Sequence, residues 1–359
     1  MQTQVTKKTF VDQEFFIGID NHKKSWTVSI LGEHYEHKTM SQNPDPEILA
    51  RYLKKHFPGG QYHAIYEAGF SGFESCRKLQ QLGIDCIVGH AADIPSSQKE
   101  KLQKNDKADS RKLAKILRGK GIEAIHVPDR KLEADRALVR QRFRVVKDLG
   151  RIKNRVKSLL FQFSVQIPDR FTTAQTRHWS KVYINWLKQL PVEHESLKQT
   201  LDNYIRLGEM QRKELLLINR QVRSLSQTNA YQNNFNLLIS IPGIGLMTAM
   251  TFLVQIGDIR RFKSLDDLCN YIGLVPMMHN SGEKVVTGKM LKRGRKELKI
   301  MLIEASWVAI RRDPALMAKF NNLAKRMNKN KAIIRIAKSL LNRIRFVLTH
   351  QQIYELGTI

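Results

Sequence analysis

An α/β domain, a helical stalk and an all-helical C-terminal domain form the architecture this sequence predicts, and three observations carry it. Over the first 130 residues, short apolar runs ending at acidic or glycine residues alternate with helical periodicity. Leu138, Val145, Leu149, Ile152, Val156, Leu159 and Phe163 then recur at spacings of three, four and seven. From Asn236 onward the helical segments are short and broken by glycine. The implied boundaries are 14–130, 131–230 and 231–359.

In the first part, the apolar run Phe15-Phe16-Ile17-Gly18-Ile19 ends at Asp20, and Trp26 to Leu31 alternates before Gly32, which fits a hairpin. Glu47 to His56 reads as a helix, and His63 to Tyr66 as a strand ending at Glu67. Gly72 to Leu82 reads as a helix stopped by Gly83, Ile84 to Val88 as a strand, and Lys107 to Leu117 as a helix ending at Gly119. Together these describe helices around one sheet.

In the middle part, Arg151, Lys153, Arg155 and Lys157 flank the coiled-coil-like seam. A second helical run follows Pro191, with Leu197, Leu201, Tyr204 or Ile205, Leu215, Ile218, Val222 and Leu225 on one face. An intramolecular helical hairpin and a seam between subunits fit this pattern equally. In the last part, Ser240-Ile241-Pro242-Gly243-Ile244-Gly245 before Leu246 to Val254 reads as a helix-hairpin-helix turn. There glycines let backbone approach a phosphate and the next helix offers free N–H groups. An ordinary glycine-rich helix connection fits as well. The tail from Ala324 to Leu348 is a basic amphipathic helix.

The chain has 359 residues, more than one core usually organises, and 42% are apolar. Cys76, Cys86 and Cys269 are odd in number and form no Cys-x-x-Cys pair, which argues for a reducing cytoplasm and against disulfides or structural zinc. The polar stretch Met1 to Phe10 gives no secretory signal. Leu237 to Gly257 lacks charge, but Pro242, Gly243 and Gly245 break it too early for a membrane span. No phosphate loop of the GxxxxGK[ST] type points to ATP hydrolysis.

With 61 Lys+Arg against 33 Asp+Glu the net charge is +28, as expected of a protein that sits on a polyanion. Against that background Asp20, Glu67, Asp106 and Asp109 stand out at strand ends and a helix start. Taken singly, Asp20 can be a turn residue, and Asp106 with Asp109 an N-cap and its N3 partner. Jointly, two strand-end carboxylates followed by a helix-borne pair at i and i+3 form the pattern of an RNase H-like nuclease core converging on Mg²⁺. Such a cation would reconcile carboxylates with a phosphodiester. Ser281, in the polar run from His279 to Glu283, lies among Lys284, Lys289, Lys292, Arg293, Arg295, Lys296 and Lys299, so a phosphodiester there would meet a hydroxyl in a positive field. His279 reads as a solvent-facing loop residue in preference to a base.

In order, Asp20 after FFIGI, Glu67 in YEAGF, Asp106-Lys-Ala-Asp109, SIPGIG, YIGLVP, HNSGEK and GKMLKRG closely resemble the DEDD transposases of the insertion-sequence family one-hundred-and-ten, relatives of the Piv-type DNA invertases. The similarity runs from about Phe16 to Ile310 and departs at YEAGF, where the family often has a small hydroxyl residue before the glycine. The resemblance implies a RuvC-like domain in which Asp20, Glu67, Asp106 and Asp109 bind Mg²⁺, with Mn²⁺ as a substitute. It further implies a coiled-coil insertion and a C-terminal transposase domain in which Ser281 is the nucleophile. It implies recombination of double-stranded donor and target DNA through a phosphoserine linkage, guided by a structured RNA encoded by the element. Gly243, Gly245, Lys284, Lys289, Lys292, Arg293, Arg295 and Lys296 are then the expected nucleic-acid contacts. The expected assembly is a homo-oligomer, dimer to tetramer, with each active site shared between subunits. The rival expectations are a RuvC-like endonuclease using water, which has no use for Ser281, and a non-catalytic nucleic-acid-binding scaffold.

Overall fold

The computed structural model describes residues 9–95, 105–172, 179–281 and 284–356. The chain forms two compact units, Met1–Val127 and Pro128–Ile359.

The first unit is built on a five-stranded sheet in the order β3-β2-β1-β4-β5. Strand β1 (Glu14–Asn21) pairs antiparallel with β2 (Trp26–Leu31), which pairs antiparallel with β3 (Glu36–Gln42). On its other side β1 runs parallel to β4 (Gln61–Glu67), and β4 parallel to β5 (Asp85–Gly89). Side chains alternate between faces along a strand. Phe15, Ile17 and Ile19 therefore enter one core, with Val28, Ile30, Leu49, Leu53 and Leu79 from β2, α1 (Pro46–His56) and α2 (Glu74–Gln81). Phe16 enters a second, smaller cluster with Leu31 and Ala114, under helix α3 (Asp106–Arg118). The next strand residues on that face are Gly18 and Asp20, and His22 follows one residue beyond the strand end.

Strand β3 has no counterpart in the sequence expectations. Its residues, Glu-His-Lys-Thr-Met-Ser-Gln, are mostly polar and exposed or half-buried, because an edge strand buries little and so leaves little apolar alternation to read.

The second unit begins with the long helix α4 (Arg130–Gln162) and includes α5 (Lys181–Gln189) and the long helix α6 (Glu195–Ser226). Val139 and Val145 share a core with Ile218 and Val222, and Ile152, Val156 and Leu160 share another with Leu201 and Ile205. Early residues of one helix meet late residues of the other, so the seam is an antiparallel hairpin within one chain. Arg142 Nε donates to Asn219 Oδ1 across it at 2.8 Å. Leu160 takes the last buried seam position, while Phe163 lies beyond the helix end and is 45% exposed.

The remainder is α7 (Gln232–Ile239), α8 (Leu246–Ile256), α9 (Leu265–Ile272), α10 (Lys296–Ala309), α11 (Pro314–Ala324) and α12 (Lys329–His350). The uncharged stretch from Leu237 to Gly257 is split between α7 and α8, and among the described residues no helix is long and apolar enough to cross a membrane. The C-terminal region is not all-helical, contrary to expectation. Strands β6 (Pro276–Ser281) and β7 (Lys284–Met290) pair antiparallel between α9 and α10. Val285, Val286 and Thr287 supply a β-branched run that favours a strand over a loop.

Candidate metal centre and serine hairpin

Gly18 fixes the height of α3 over the sheet. A Cβ there would stand 2.0 Å from the Ser110 carbonyl oxygen and 2.5 Å from the Ala114 nitrogen, so the helix rests on bare backbone. The buried Ser29 and Ser110 hydroxyls meet at 2.8 Å beside this contact. With the helix seated, its first turn lies over the carboxyl end of β1, where Asp20 follows on the same face.

The helix start differs from expectation in one residue. Asn105 is the N-cap, its side chain accepting the Lys107 N–H at 3.0 Å, so Asp106 is the first helical residue and not the cap. Asn105 is as good a cap as aspartate, and being neutral it leaves the charged side chain of Asp106 free to face the strand. Asp106 and Asp109 both lie in the first turn, at the positive end of the helix dipole.

Asp20 sits inside the strand, paired with Thr27, and not in the turn that follows. The His22 Nε2 is 3.3 Å from Asp20 Oδ2 and 3.7 Å from Asp106 Oδ1. One ligand atom each from Asp20, His22 and Asp106 fall within 4.8 Å of one another. Burial raises the Asp20 carboxyl above its ordinary value; His22 opposes the rise, and the charges of Asp106 and Asp109 add to it. Asp109 therefore acts on the same carboxylate, while lying 3.8 Å from Lys112 Nζ. Glu67 is not part of the three-residue group. It ends β4 one residue beyond the registered pair Ile19–Tyr66, is exposed, and pairs with Gly89 of β5.

His22 is not among the residues the sequence singles out. His22 lies one residue past the end of β1, where strand alternation no longer fixes a side chain's direction, so its approach to Asp20 is seen only in the fold. The donor set fits a divalent cation. The crowding of negative charge that helps raise the Asp20 carboxyl is relieved by a cation, and carboxylate oxygens are hard ligands. His22 lies within hydrogen-bonding reach of Asp20 and can orient that carboxylate.

In the second unit, Ser281 ends β6 and its backbone pairs with Lys284 of β7; residues 282 and 283, which join them, lie outside the described residues. His279 is also on β6, paired with Val286, and not in an open loop. The hairpin is closed at its root by a crossing of two glycines. Gly273, the left-handed C-cap of α9, would place a Cβ 2.1 Å from the Arg293 carbonyl oxygen, and Gly294 one 2.5 Å from that of Ile272. The Arg295 N–H donates to Ile272 O at 3.0 Å, and the Leu291 N–H to Val275 O at 2.9 Å.

Of the expected nucleic-acid contacts, Lys284 and Lys289 lie on β7, and Lys292, Arg293 and Lys296 are exposed after it. Arg295 is half-buried, and its Nη2 donates to the Tyr271 hydroxyl at 2.8 Å. Gly243, with φ of +90°, packs against α10, since a Cβ would stand 2.3 Å from Ala305 O. Gly245 caps α8 and faces open space.

Two family models match the chain. One, a DEDD transposase model described as "Transposase", covers residues 17–165; the other, described as "Transposase IS116/IS110/IS902 family", covers residues 235–321. The chain is 25% identical over 257 residues to a transposase for insertion sequence element IS1533 of Leptospira borgpetersenii, covering 70% of this chain and 72% of that one. It is 24% identical to a transposase for insertion sequence element IS1111A of Coxiella burnetii, covering 72% and 70%. Over 113 residues it is 38% identical to the pilin gene-inverting protein of Moraxella bovis, covering 30% of this chain and 34% of that one.

Proposed function

The chain belongs to the IS110 family of transposases, and from that premise we propose that it cuts and rejoins double-stranded DNA through a phosphoserine intermediate on Ser281, guided by a structured RNA. The observation that carries the DNA-cleaving part is the Asp20, His22 and Asp106 cluster, with Asp109 beside it at the start of α3. Asp20, Asp106 and Asp109, with Glu67 on the neighbouring strand end, would hold the cation. A divalent cation held there, Mg²⁺ or Mn²⁺, supplies Lewis-acid stabilisation of the phosphate and of the departing oxygen. His22 holds the Asp20 carboxylate in orientation.

The Ser281 Oγ attacks a DNA phosphorus, forming a serine–phosphate ester and breaking one bond from phosphorus to a deoxyribose oxygen. That oxygen leaves as a hydroxyl with the proton lost from the serine. A deoxyribose hydroxyl of another strand then attacks the phosphoserine, and the serine recovers its proton. One phosphate diester is exchanged for another at each step, so rejoining requires no ATP. The +28 charge supports contact with nucleic acid through backbone phosphates, and pairing to an RNA would supply sequence that the protein need not read. Ser281 and the acidic cluster lie in separate units, which is compatible with sites completed between subunits of a dimer or tetramer.

Because the acidic cluster is assembled within the first unit alone, a water-using endonuclease is the rival reading. A nicked suicide substrate separates the two. Ser281 chemistry leaves a denaturation-resistant DNA adduct on the Ser281 peptide, which Ser281→Ala abolishes together with cleavage; undiminished cleavage by Ser281→Ala supports the endonuclease.

A further inference from the structure

We propose that Arg136, Arg140, Arg261 and Arg295, gathered round Tyr271, form a phosphodiester-binding site at the root of the serine hairpin. Its framework is the end of α8. Arg136, 4% exposed, donates from Nε to Val254 O and from Nη2 to Gln255 O at 3.0 Å. Arg261 Nε donates to Ile256 O at 3.0 Å, and Arg140 Nη2 to Gln255 Oε1 at 3.3 Å. The Tyr271 hydroxyl donates to Gln255 O at 3.2 Å and accepts from Arg295 Nη2. The Arg261 and Arg295 guanidiniums lie over the Tyr271 ring at 4.5 and 4.9 Å, which holds their planes in place.

Capping a helix end explains some of these bonds but not the charge. A helix C-terminus offers roughly half a negative charge, whereas four guanidiniums converge here. Among the described residues, one carboxylate acts on Arg140 and one on Arg261, and each has another basic partner. Glu297, which acts on Arg140, lies 3.6 Å from Lys147; Asp258, which acts on Arg261, is held by Arg260 at 2.9 Å. Burial, together with mutual repulsion, lowers the proton affinity of Arg136, Arg140 and Arg261. Arg261 Nη2 is buried and has no hydrogen-bond partner among the described residues. Positive charge without sufficient compensation, planar forked donors and an unspent N–H are the features that bind a phosphate bidentately. Arg140 is exposed, Arg261 and Arg295 half-buried and Arg136 buried, so the cluster runs from surface to interior.

Tyr271 and Arg295 also flank the Gly273–Gly294 crossing from which the hairpin departs. A strand anchored here would be held at a fixed distance along its backbone from the hairpin end that carries Ser281. That positioning role rests on the serine reading above; phosphate binding does not.

The test uses full-length protein freed of RNA, in EDTA so that no cleavage intervenes. Affinity is measured by fluorescence anisotropy across about 50 to 200 mM salt, in one arm with duplex DNA and in the other with a folded RNA. Arg140→Gln and Arg295→Gln are each expected to make the log–log salt slope shallower by about 0.9 on the duplex, or about 0.7 where single strands are bound. Arg151→Gln, which removes an exposed arginine paired with Asp148 at 2.7 Å and away from Tyr271, is expected to leave the slope unchanged. The arm in which the slope changes identifies whose phosphates are held. Unchanged slopes in both arms for a natively folded Arg140→Gln, or an equal loss in Arg151→Gln, overturn the proposal. Should Arg295→Gln fail to fold, exposed Arg140 decides alone. A negative result leaves the serine adduct assay untouched, so the two readings fail separately.

Discussion

Ser110 and Gly18 are in backbone contact: a Cβ on Gly18 would come within 2.0 Å of the Ser110 carbonyl oxygen. Helix α3 therefore rests on β1 with no side chain between them at that point. Because Asp106 and Asp109 precede Ser110 on the helix and Asp20 follows Gly18 on the strand, this one contact sets how close the carboxylates come.

Gly18→Ala should therefore damage both fold and site. The added methyl meets backbone, which cannot swing aside, so overpacking should cost about 1–3 kcal/mol. Urea unfolding of the full chain should show an earlier loss of the first unit, and DNA cleavage should fall because α3 is lifted from Asp20. Wild-type stability with wild-type cleavage would show that α3 is not seated by this contact.

A second expectation concerns pH and Asp20. Its carboxyl is raised in the folded protein by burial and by Asp106 and Asp109, so the native state holds that proton more tightly than the unfolded chain. The resulting stability is fully present below the unfolded value of about 3.9 and is lost as pH rises through the raised native value. At neutral pH, without metal, Asp20→Asn should then melt above wild type, with the difference shrinking on acidification. Mg²⁺ or Mn²⁺ should raise the wild-type melting temperature and leave Asp20→Asn nearly unmoved. A metal-free Asp20→Asn that melts below wild type at neutral pH would mean the charge cluster is not strained.

Much of this was legible in the chain, for identifiable reasons. The two faces of β1 could be read from Phe15 to Asp20 because a buried central strand is apolar on both sides. The carboxylates announced themselves by standing at strand ends in a basic protein. Strand β3 was not legible, because an edge strand carries little apolar alternation. The β6–β7 hairpin was hidden by its glycine and by the polar residues around Ser281, which read as loop. His22 was not legible, because it lies just past the end of β1, where strand alternation no longer dictates where a side chain points. Arg136 and Arg140 come more than a hundred residues before Arg261 and Arg295, and spacing cannot show that the two pairs meet.

The glycine crossing at the hairpin root yields a third prediction. Gly294 has φ of +105° and Gly273 φ of +82°, and a Cβ at either meets backbone. Gly294→Ala should cost at least about 1–3 kcal/mol through strain and overpacking, and should impair recombination while leaving the melting of the first unit unchanged. Full recombination by Gly294→Ala would show that the hairpin root tolerates displacement.

The last prediction asks whether one active site draws on two chains. Asp20→Ala removes a proposed cation ligand and should leave Ser281 in place; Ser281→Ala should do the reverse, since loss of one hydroxyl near a strand end seldom costs much stability. Each variant alone should be inactive. If each site combines the acidic cluster of one subunit with the serine of another, mixed oligomers contain some sites with both parts intact. Mixing should then restore a fraction of recombination that depends on the ratio of the two proteins, with the DNA adduct found only on the Asp20→Ala chain, which retains the serine. Differently tagged subunits establish that mixing has occurred. Demonstrably mixed oligomers that stay inactive would place serine and carboxylates of each site within one chain.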